Sequence, residues 1–317
     1  MTFKQSYVAQ YVALIGGANL DISAQSHAKA LMGDSNPGRI ACSPGGVARN
    51  VAENLLRLGV NARLLSVLGD DAFAAVLHQA ADAIGLDLSA CTTLPGQRTA
   101  TYLSLHGADG DMGVAVNDMG ILELMTPALL QPHTALLQTA PAVVVDCNVR
   151  PDVLNWLGHD IRHPVLFAEA VSVAKCHKLL PLLDRLHTLK ANGMEAQALS
   201  GLPVANVGEA EAAALHLHQR GVGQVVISLG VEGVVWCDAT GTTGHRSVRP
   251  ISMASATGAG DALLSGLVYG HLQSLPMEQA VRFAMACAEL TLSSTFANSP
   301  DLGVAAVQAH LQEKNHD

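Results

Sequence analysis

Short apolar runs at 11–15, 63–68, 142–147, 164–168, 186–190, 224–229 and 233–237 alternate with longer segments of helical periodicity at 47–58, 71–84, 206–220, 261–272 and 277–293. Runs that are apolar from end to end suit strands covered on both faces, whereas a half-exposed strand alternates apolar and polar residues. Strands of the first kind separated by helices predict a parallel sheet with a helical layer on each face. Hydrophobic residues make up 49% of the 317, enough for a large core, but aromatics are only 3%. Ala, Leu, Val and Gly must therefore do most of the packing.

Two segments break the rhythm. Residues 99–106 alternate apolar and polar positions, 107–110 (Gly-Ala-Asp-Gly) turn the chain, and 112–116 follow as a second strand. That pattern reads as a half-exposed hairpin. Residues 20–25 and 39–43 are further short extended segments, so a small sheet built near 20–43 and 97–118 stands off the α/β body as a lid. With no internal repeat, low-complexity tract or long linker, residues 1–317 are expected to form one domain with this excursion.

Charged residues are 14% of the chain and the formal charge is −9, with no basic tract to offset it. Binding to a nucleic-acid backbone is not expected, while a small anionic ligand is allowed by a local cationic site. Cys42, Cys91, Cys147, Cys176, Cys237 and Cys287 are widely spaced without a Cys-x-x-Cys pair. Reduced thiols packed as small hydrophobes in a cytoplasmic protein are the expectation. The apolar run at 11–15 is too short to span a bilayer, so no membrane partner is expected.

The chemistry concentrates in two glycine turns that open onto helices. Thr257-Gly258-Ala259-Gly260-Asp261 leads directly into an apolar helical run. Backbone N–H groups at such a start converge on one point and carry the positive end of the dipole, which suits an anion. An acid there would repel a bound phosphate, unless its task is to take a proton from a hydroxyl attacking phosphorus. Taken alone, Asp261 reads equally as an ordinary first-turn acid stabilised by the dipole. The second turn is Pro44-Gly45-Gly46-Val47-Ala48-Arg49-Asn50, in which Asn50 offers both a donor and an acceptor one turn into its helix.

Together, Gly45-Gly46-x-x-x-Asn50 and Thr257-Gly258-Ala259-Gly260-Asp261 resemble the two signatures of the ribokinase-like (PfkB) carbohydrate kinases. Gly17-Ala18-Asn19-Leu20-Asp21 is similar to the opening of that family's sugar site, Asn192-Gly193-Met194-Glu195 to its Asn-x-x-Glu motif, and 228–233 to its nucleotide-binding turn. The segments 34–40, 43–50, 102–105, 114–119, 146–148 and 186–190 further resemble the pseudouridine kinase branch.

The resemblance implies a ribokinase-like three-layer α/β/α sandwich with a β-sheet lid, and ATP-dependent phosphorylation of the 5′-hydroxyl of pseudouridine. It makes Asp261 the general base and Gly258, Ala259 and Gly260 the anion hole for the transferred phosphoryl group. Asn19, Asp21, Gly45, Gly46 and Asn50 would hold ribose hydroxyls, with Asn117 and Asn148 as further substrate contacts. Lys190, Asn192, Ser228, Gly230 and Gly233 would line the ATP site, Ala286 and Cys287 would face adenine, and Asn192 with Glu195 would orient Mg²⁺ through water from one helix face. Departures from the family pattern are Ser255 in place of an Asp that helps shape a monovalent-cation site, Glu169-Ala170 in place of Asp-Pro, and Ala191 in place of Pro. Activation by K⁺ is therefore left open, and Glu169 carries its carboxylate on a longer arm. Lids of this family often pair, which implies a homodimer. A kinase for another nucleoside or a free sugar such as ribose or fructose, and a binding protein of the same fold without turnover, are the alternatives the residues leave open.

Other constellations carry less. His159 and His163 are spaced for one helix face, but Pro164 follows and no acid completes the pattern, so a surface loop is expected. No Walker GxxxxGK[ST] or Gly-x-Ser-x-Gly motif is present.

Overall fold

The computed structural model describes residues 11–162, 165–248 and 257–313. In chain order the strands are β1 (Tyr11–Ile15), β2 (Asn19–Ser26), β3 (Gly38–Gly45), β4 (Asn61–Leu65), β5 (Val67–Gly69), β6 (Thr92–Leu94) and β7 (Thr101–His106). They continue as β8 (Met112–Asp118), β9 (Ala142–Asp146), β10 (Val165–Glu169), β11 (Thr188–Asn192), β12 (Gln224–Ser228), β13 (Val234–Cys237) and β14 (Thr243–Arg246). The main sheet runs β14-β13-β12-β11-β10-β9-β1-β4.

From β4 to β12 every neighbouring pair is parallel, whereas β12–β13 and β13–β14 are antiparallel. The sheet is therefore mixed rather than wholly parallel. The physical reason lies in chain length: only Leu229 to Gly233 separate β12 from β13, too few residues for a crossover helix, so the chain can return only antiparallel. The run at 63–68 also divides, because Ser66 turns its hydroxyl to the Gly16 carbonyl at 2.7 Å. Beyond it, β5 pairs with β6 in a separate two-stranded sheet.

Strand β1 shows how the layers are held. Val12 and Leu14 belong to a core shared with helices Val47–Arg57, Ala259–Leu272 and Met277–Leu292, while Ala13 and Ile15 belong to the core on the opposite face. That second core is closed by helices Pro151–Asp160, Gly193–Ser200 and Val207–Gln219. All four residues are fully buried, as a strand between two helical layers requires. Small residues set the helix spacing in the aromatic-poor core: Gly266 lies against Ala284 and Gly270 against Ala280, and Tyr269 stacks on Phe283 at 4.6 Å.

The expected excursion is a four-stranded sheet, β3-β2-β7-β8. Register places Asp21, Tyr102 and Asn117 in one cross-strand row, and Ile22, Leu103 and Val116 in the next. Because side chains alternate across the pleat, one face is polar and the other apolar. His159 lies within the helix Pro151–Asp160 rather than in a loop, and His163 and Pro164 lie outside the described residues. No described helix is long and apolar enough to cross a membrane.

Candidate active site

Chain order reverses about β1, which has β4 on one side and β9 on the other, so a crevice opens beyond the carboxyl ends of these strands. The sequence-expected residues gather there: Asn19 and Asp21 after β1, Asn148 after β9, Lys190 and Asn192 at the end of β11, and Ser228 at the end of β12. Glu169 closes β10 between them.

The helix Ala259–Leu272 brings Asp261 to this crevice. Its N-cap, Gly258, adopts φ +83°, offers no side-chain cap, and has no room for a Cβ against the Ala297 carbonyl. The first intrahelical bond runs from the Ala262 N–H to the Gly258 carbonyl at 2.9 Å. The preceding amides of Ala259, Gly260 and Asp261 thus lack helical acceptors and stand free at the positive end of the helix. Asn50, expected among the ribose contacts, donates from Nδ2 to Asp261 Oδ2 at 2.9 Å. Asn50 is in turn held by Asn298, whose Nδ2 donates to its carbonyl at 2.9 Å, and Arg49 Nη1 donates to Asn298 Oδ1 at 3.2 Å. Burial raises the Asp261 carboxyl to about 6, against the hydrogen bond from Asn50 and the nearby Lys190 charge, with Asp146 and Asp21 adding to the rise.

A cleft of about 630 Å³ runs beneath the polar face of the small sheet, lined among others by Asp21, Tyr102, Ser104, Arg49, Asn298 and Thr257, which stands in the turn before Asp261. Asp21 accepts from Asn19 Nδ2 at 2.5 Å and lies so close to Gly45 that a Cβ there would overlap its carboxylate. Burial raises the Asp21 pKa, partly offset by Asn19 and Arg49. Gly46 takes φ +99° against the Gly17 carbonyl, a position closed to larger residues. Asn117 is exposed in the Asp21 row of the same face.

Asp146 ties these loops together. Its buried carboxylate accepts from the backbone N–H groups of Gly17 at 2.9 Å, Ala48 at 3.0 Å and Asn148 at 2.8 Å. Burial raises its pKa while those donors pull it down. Asn148 Oδ1 accepts from Lys175 Nζ at 2.6 Å, placing a cation at the substrate end that sequence reasoning did not single out. Arg49, Asn298 and Lys175 carry no motif of their own, and only their contacts with Asn50 and Asn148 identify them.

On the nucleotide side, Asn192 and Glu195 form a capping box at the helix Gly193–Ser200. Glu195 Oε2 accepts from the Asn192 N–H and Oε1 from Asn192 Nδ2, both at 2.8 Å. Glu195 is thus a buried, fixed carboxylate, and Asn192 is the N-cap rather than a residue on a helix face. Ser228 pairs in register with Asn192, and the turn Gly230–Glu232 is open, with Val231 91% exposed. Ala286 and Cys287 do not reach this surface. They are buried in the core that Met277–Leu292 shares with Ala259–Leu272. Lys190 Nζ donates to Glu169 Oε1 at 2.9 Å in a buried pair. Burial disfavours the charged amine, but Glu169, Glu195 and Asp261 outweigh it and hold the Lys190 pKa above its ordinary value. Ser255 lies outside the described residues.

Known proteins of similar sequence and fold identify the family. The model of the pfkB family carbohydrate kinases matches residues 9–302. The chain is 38% identical to the pseudouridine kinase of Escherichia coli (strain K12) over 297 residues, covering 94% of this chain and 95% of that protein. It superposes on a carbohydrate kinase from Agrobacterium tumefaciens with TM-score 0.84 and 29% identity, over 96% of this chain and 97% of the other. A ribokinase from Arabidopsis thaliana, 20% identical, shares the fold with TM-score 0.86 over 96% of this chain and 99% of that one. With the family model spanning nearly the whole chain, this protein belongs to the pfkB family of carbohydrate kinases and is an ATP-dependent nucleoside or carbohydrate kinase.

Proposed function

We propose that the chain transfers the γ-phosphoryl group of ATP to the 5′-hydroxyl of pseudouridine. The observation that carries the chemistry is Asp261 at an uncapped helix start, held by Asn50, with Thr257 of the same turn lining the cleft. The acceptor is supported by the 38% identity to the E. coli pseudouridine kinase, which covers 94% of the chain and so includes the segments that line the cleft.

In this reading Asp21, Asn19 and the Asn148–Lys175 pair orient the nucleoside beneath the polar face of the small sheet, which acts as the lid. Asp261 takes the proton of the hydroxyl as its oxygen attacks the γ-phosphorus, and the free amides of residues 259–261 receive the negative charge of the phosphoryl group. Closure of the lid excludes water and suppresses wasteful ATP hydrolysis.

A divalent ion fits the nucleotide side as a hydrated, nucleotide-borne partner. Among the described residues no cluster of three His, Cys, Asp or Glu side chains surrounds a bare ion, and Glu195 is already braced by Asn192. Oxygen donors acting through water suit Mg²⁺, which gives up its hydration shell reluctantly. Asn192 and Glu195 would hold it in that way, and the ion would neutralise charge on the β- and γ-phosphates.

The test is ADP release from MgATP with pseudouridine, uridine, adenosine, ribose and fructose in parallel. Turnover confined to pseudouridine is expected. Turnover on another acceptor would retain the kinase chemistry and overturn the substrate, and a folded protein silent on all five would favour a binding role.

A further inference from the structure

Aromatic side chains are scarce in this chain, and among the described residues Phe296 is the most exposed of them, at 58%. Phe167 and Phe283, by contrast, are buried. A large apolar ring left in water forfeits the burial that would stabilise the fold, unless a ligand or partner covers it. Phe296 lines the same cleft as Asp21, Tyr102 and Thr257. The walls of that cleft divide by chemistry. Asp21 and the polar rows of the small sheet line one part, while Phe296 joins Pro300 and, from the helix Ala72–Ile84, Ala80, Ala83 and Ile84 in an apolar part.

The ring is tied to the turn that carries Asp261. Before it, the Phe296 N–H donates to Ser294 Oγ at 3.1 Å. Directly after it, the Ala297 carbonyl packs on Gly258 and leaves no room for a Cβ there. One residue further, Asn298 Nδ2 donates to the Asn50 carbonyl and to Asn54 Oδ1, both at 2.9 Å, and Asn50 in turn donates to Asp261. Phe296 thus stands at a set place relative to the Asp261 carboxylate, on a loop braced by buried polar contacts.

We propose that Phe296 is a specificity-determining residue: its ring stacks on the base of a nucleoside whose 5′-hydroxyl faces Asp261, and so selects nucleosides over free sugars. The inference rests on the reading of the chain as a nucleoside kinase. A nucleoside is divided as the cleft is, into a polar sugar and a flat π-system. Sites of about 300–1,000 Å³ hold ligands of drug size, so a free pentose would leave the apolar part of this 630 Å³ cleft in contact with water. Stacking reads the face that every base has and not its edge. Phe296 therefore sets the class of acceptor, and the polar groups of the small sheet choose among bases.

The experiment compares wild type with Phe296→Ala, Phe296→Leu, Phe296→Tyr and Phe296→Trp, each checked for fold by circular dichroism. An exposed side chain can be replaced without emptying a core. Expected for Phe296→Ala is a rise in KM for pseudouridine of about 5- to 150-fold, the range that loss of base–aromatic stacking gives, with KM for ATP unchanged. Phe296→Leu, apolar but without a π-face, should stay near Phe296→Ala, and Phe296→Tyr near wild type. Pseudouridine should quench the fluorescence of Phe296→Trp beyond any change in wild type, and ribose should not. An unchanged KM in Phe296→Ala, or full recovery by Phe296→Leu, overturns the stacking. So does a Phe296→Trp signal that answers to both ligands alike or to neither. If uridine or adenosine proves to be the acceptor, the same pattern is expected with that nucleoside. Wild-type turnover confined to ribose or fructose would instead overturn the acceptor class on which the inference stands. In a protein silent on every acceptor, the fluorescence titration alone decides.

Discussion

As the proposed base, Asp261 suits neutral pH because opposing influences leave its carboxyl at about 6, between burial on one side and Asn50 with Lys190 on the other. A base whose pKa lies just below the working pH is mostly ionised yet still basic enough to accept a proton. Activity should therefore fall on the acid side with a limb near 6, since protonation removes the base. Asn50→Ala deletes a hydrogen bond that favours the carboxylate, so its kcat/KM profile should shift to higher pH. A limb that stayed in place would show that Asn50 does not tune the base. Asp261→Asn should lower kcat by roughly 10²–10⁴ with acceptor binding retained by calorimetry. Undiminished turnover would reassign the base.

At the scale of elements, the site depends on one buried carboxylate. Asp146 joins the loop after β1, the start of helix Val47–Arg57 and the loop after β9 by three backbone N–H donors. Hydrogen bonds to a charged acceptor contribute about 1.5–3 kcal/mol each, and an amide in its place turns N–H against N–H. Asp146→Asn should therefore cost about 2 kcal/mol in urea unfolding and raise KM for the acceptor more than for ATP. Just before β11 lies a half-buried group, His187, 4.6 Å from His271 and 5.4 Å from Phe167 between ring centroids. Burial, with His271 beside it, lowers the His187 pKa to about 4. Because the unfolded chain binds that proton near 6.5 and the folded chain resists it, stability is present above 6.5 and lost as pH falls towards 4. His187→Phe should lose less melting temperature than wild type across that window. Equal losses would exclude His187 as a contributor.

On the whole molecule, the small sheet has two unlike faces. Its polar rows cover the cleft, and its other face presents Ile40, Leu103, Leu105, Val114 and Val116, with Val116 61% exposed. A contiguous apolar sheet face invites a partner, and a second copy of the same sheet is the one the family resemblance implies. We expect a homodimer by sedimentation, converted to monomer by Leu105→Lys with Val116→Lys. A wild-type monomer at micromolar concentration would overturn this.

What the sequence determined by itself is local. Apolar runs such as 142–147 and 224–229 could only be buried strands, alternation at 99–106 could only be a half-exposed one, and the glycines before Asp261 opened its helix to an anion. Motif identity carried Asp261, Asn19, Asp21, Lys190 and Glu195 to one crevice, and the tertiary structure gathers them there. The rest was decided by long-range pairing, which no local pattern encodes. That Asn50 donates to Asp261, 211 residues away, could not be read from either glycine turn. Ala286 and Cys287, expected at the adenine site, are buried in the core that Met277–Leu292 shares with Ala259–Leu272, a packing their small size alone did not announce. Asn298 and Lys175 lay outside every motif, and Arg49 inside one gave no sign of its partner, because a side chain's chemistry is set by what packs against it.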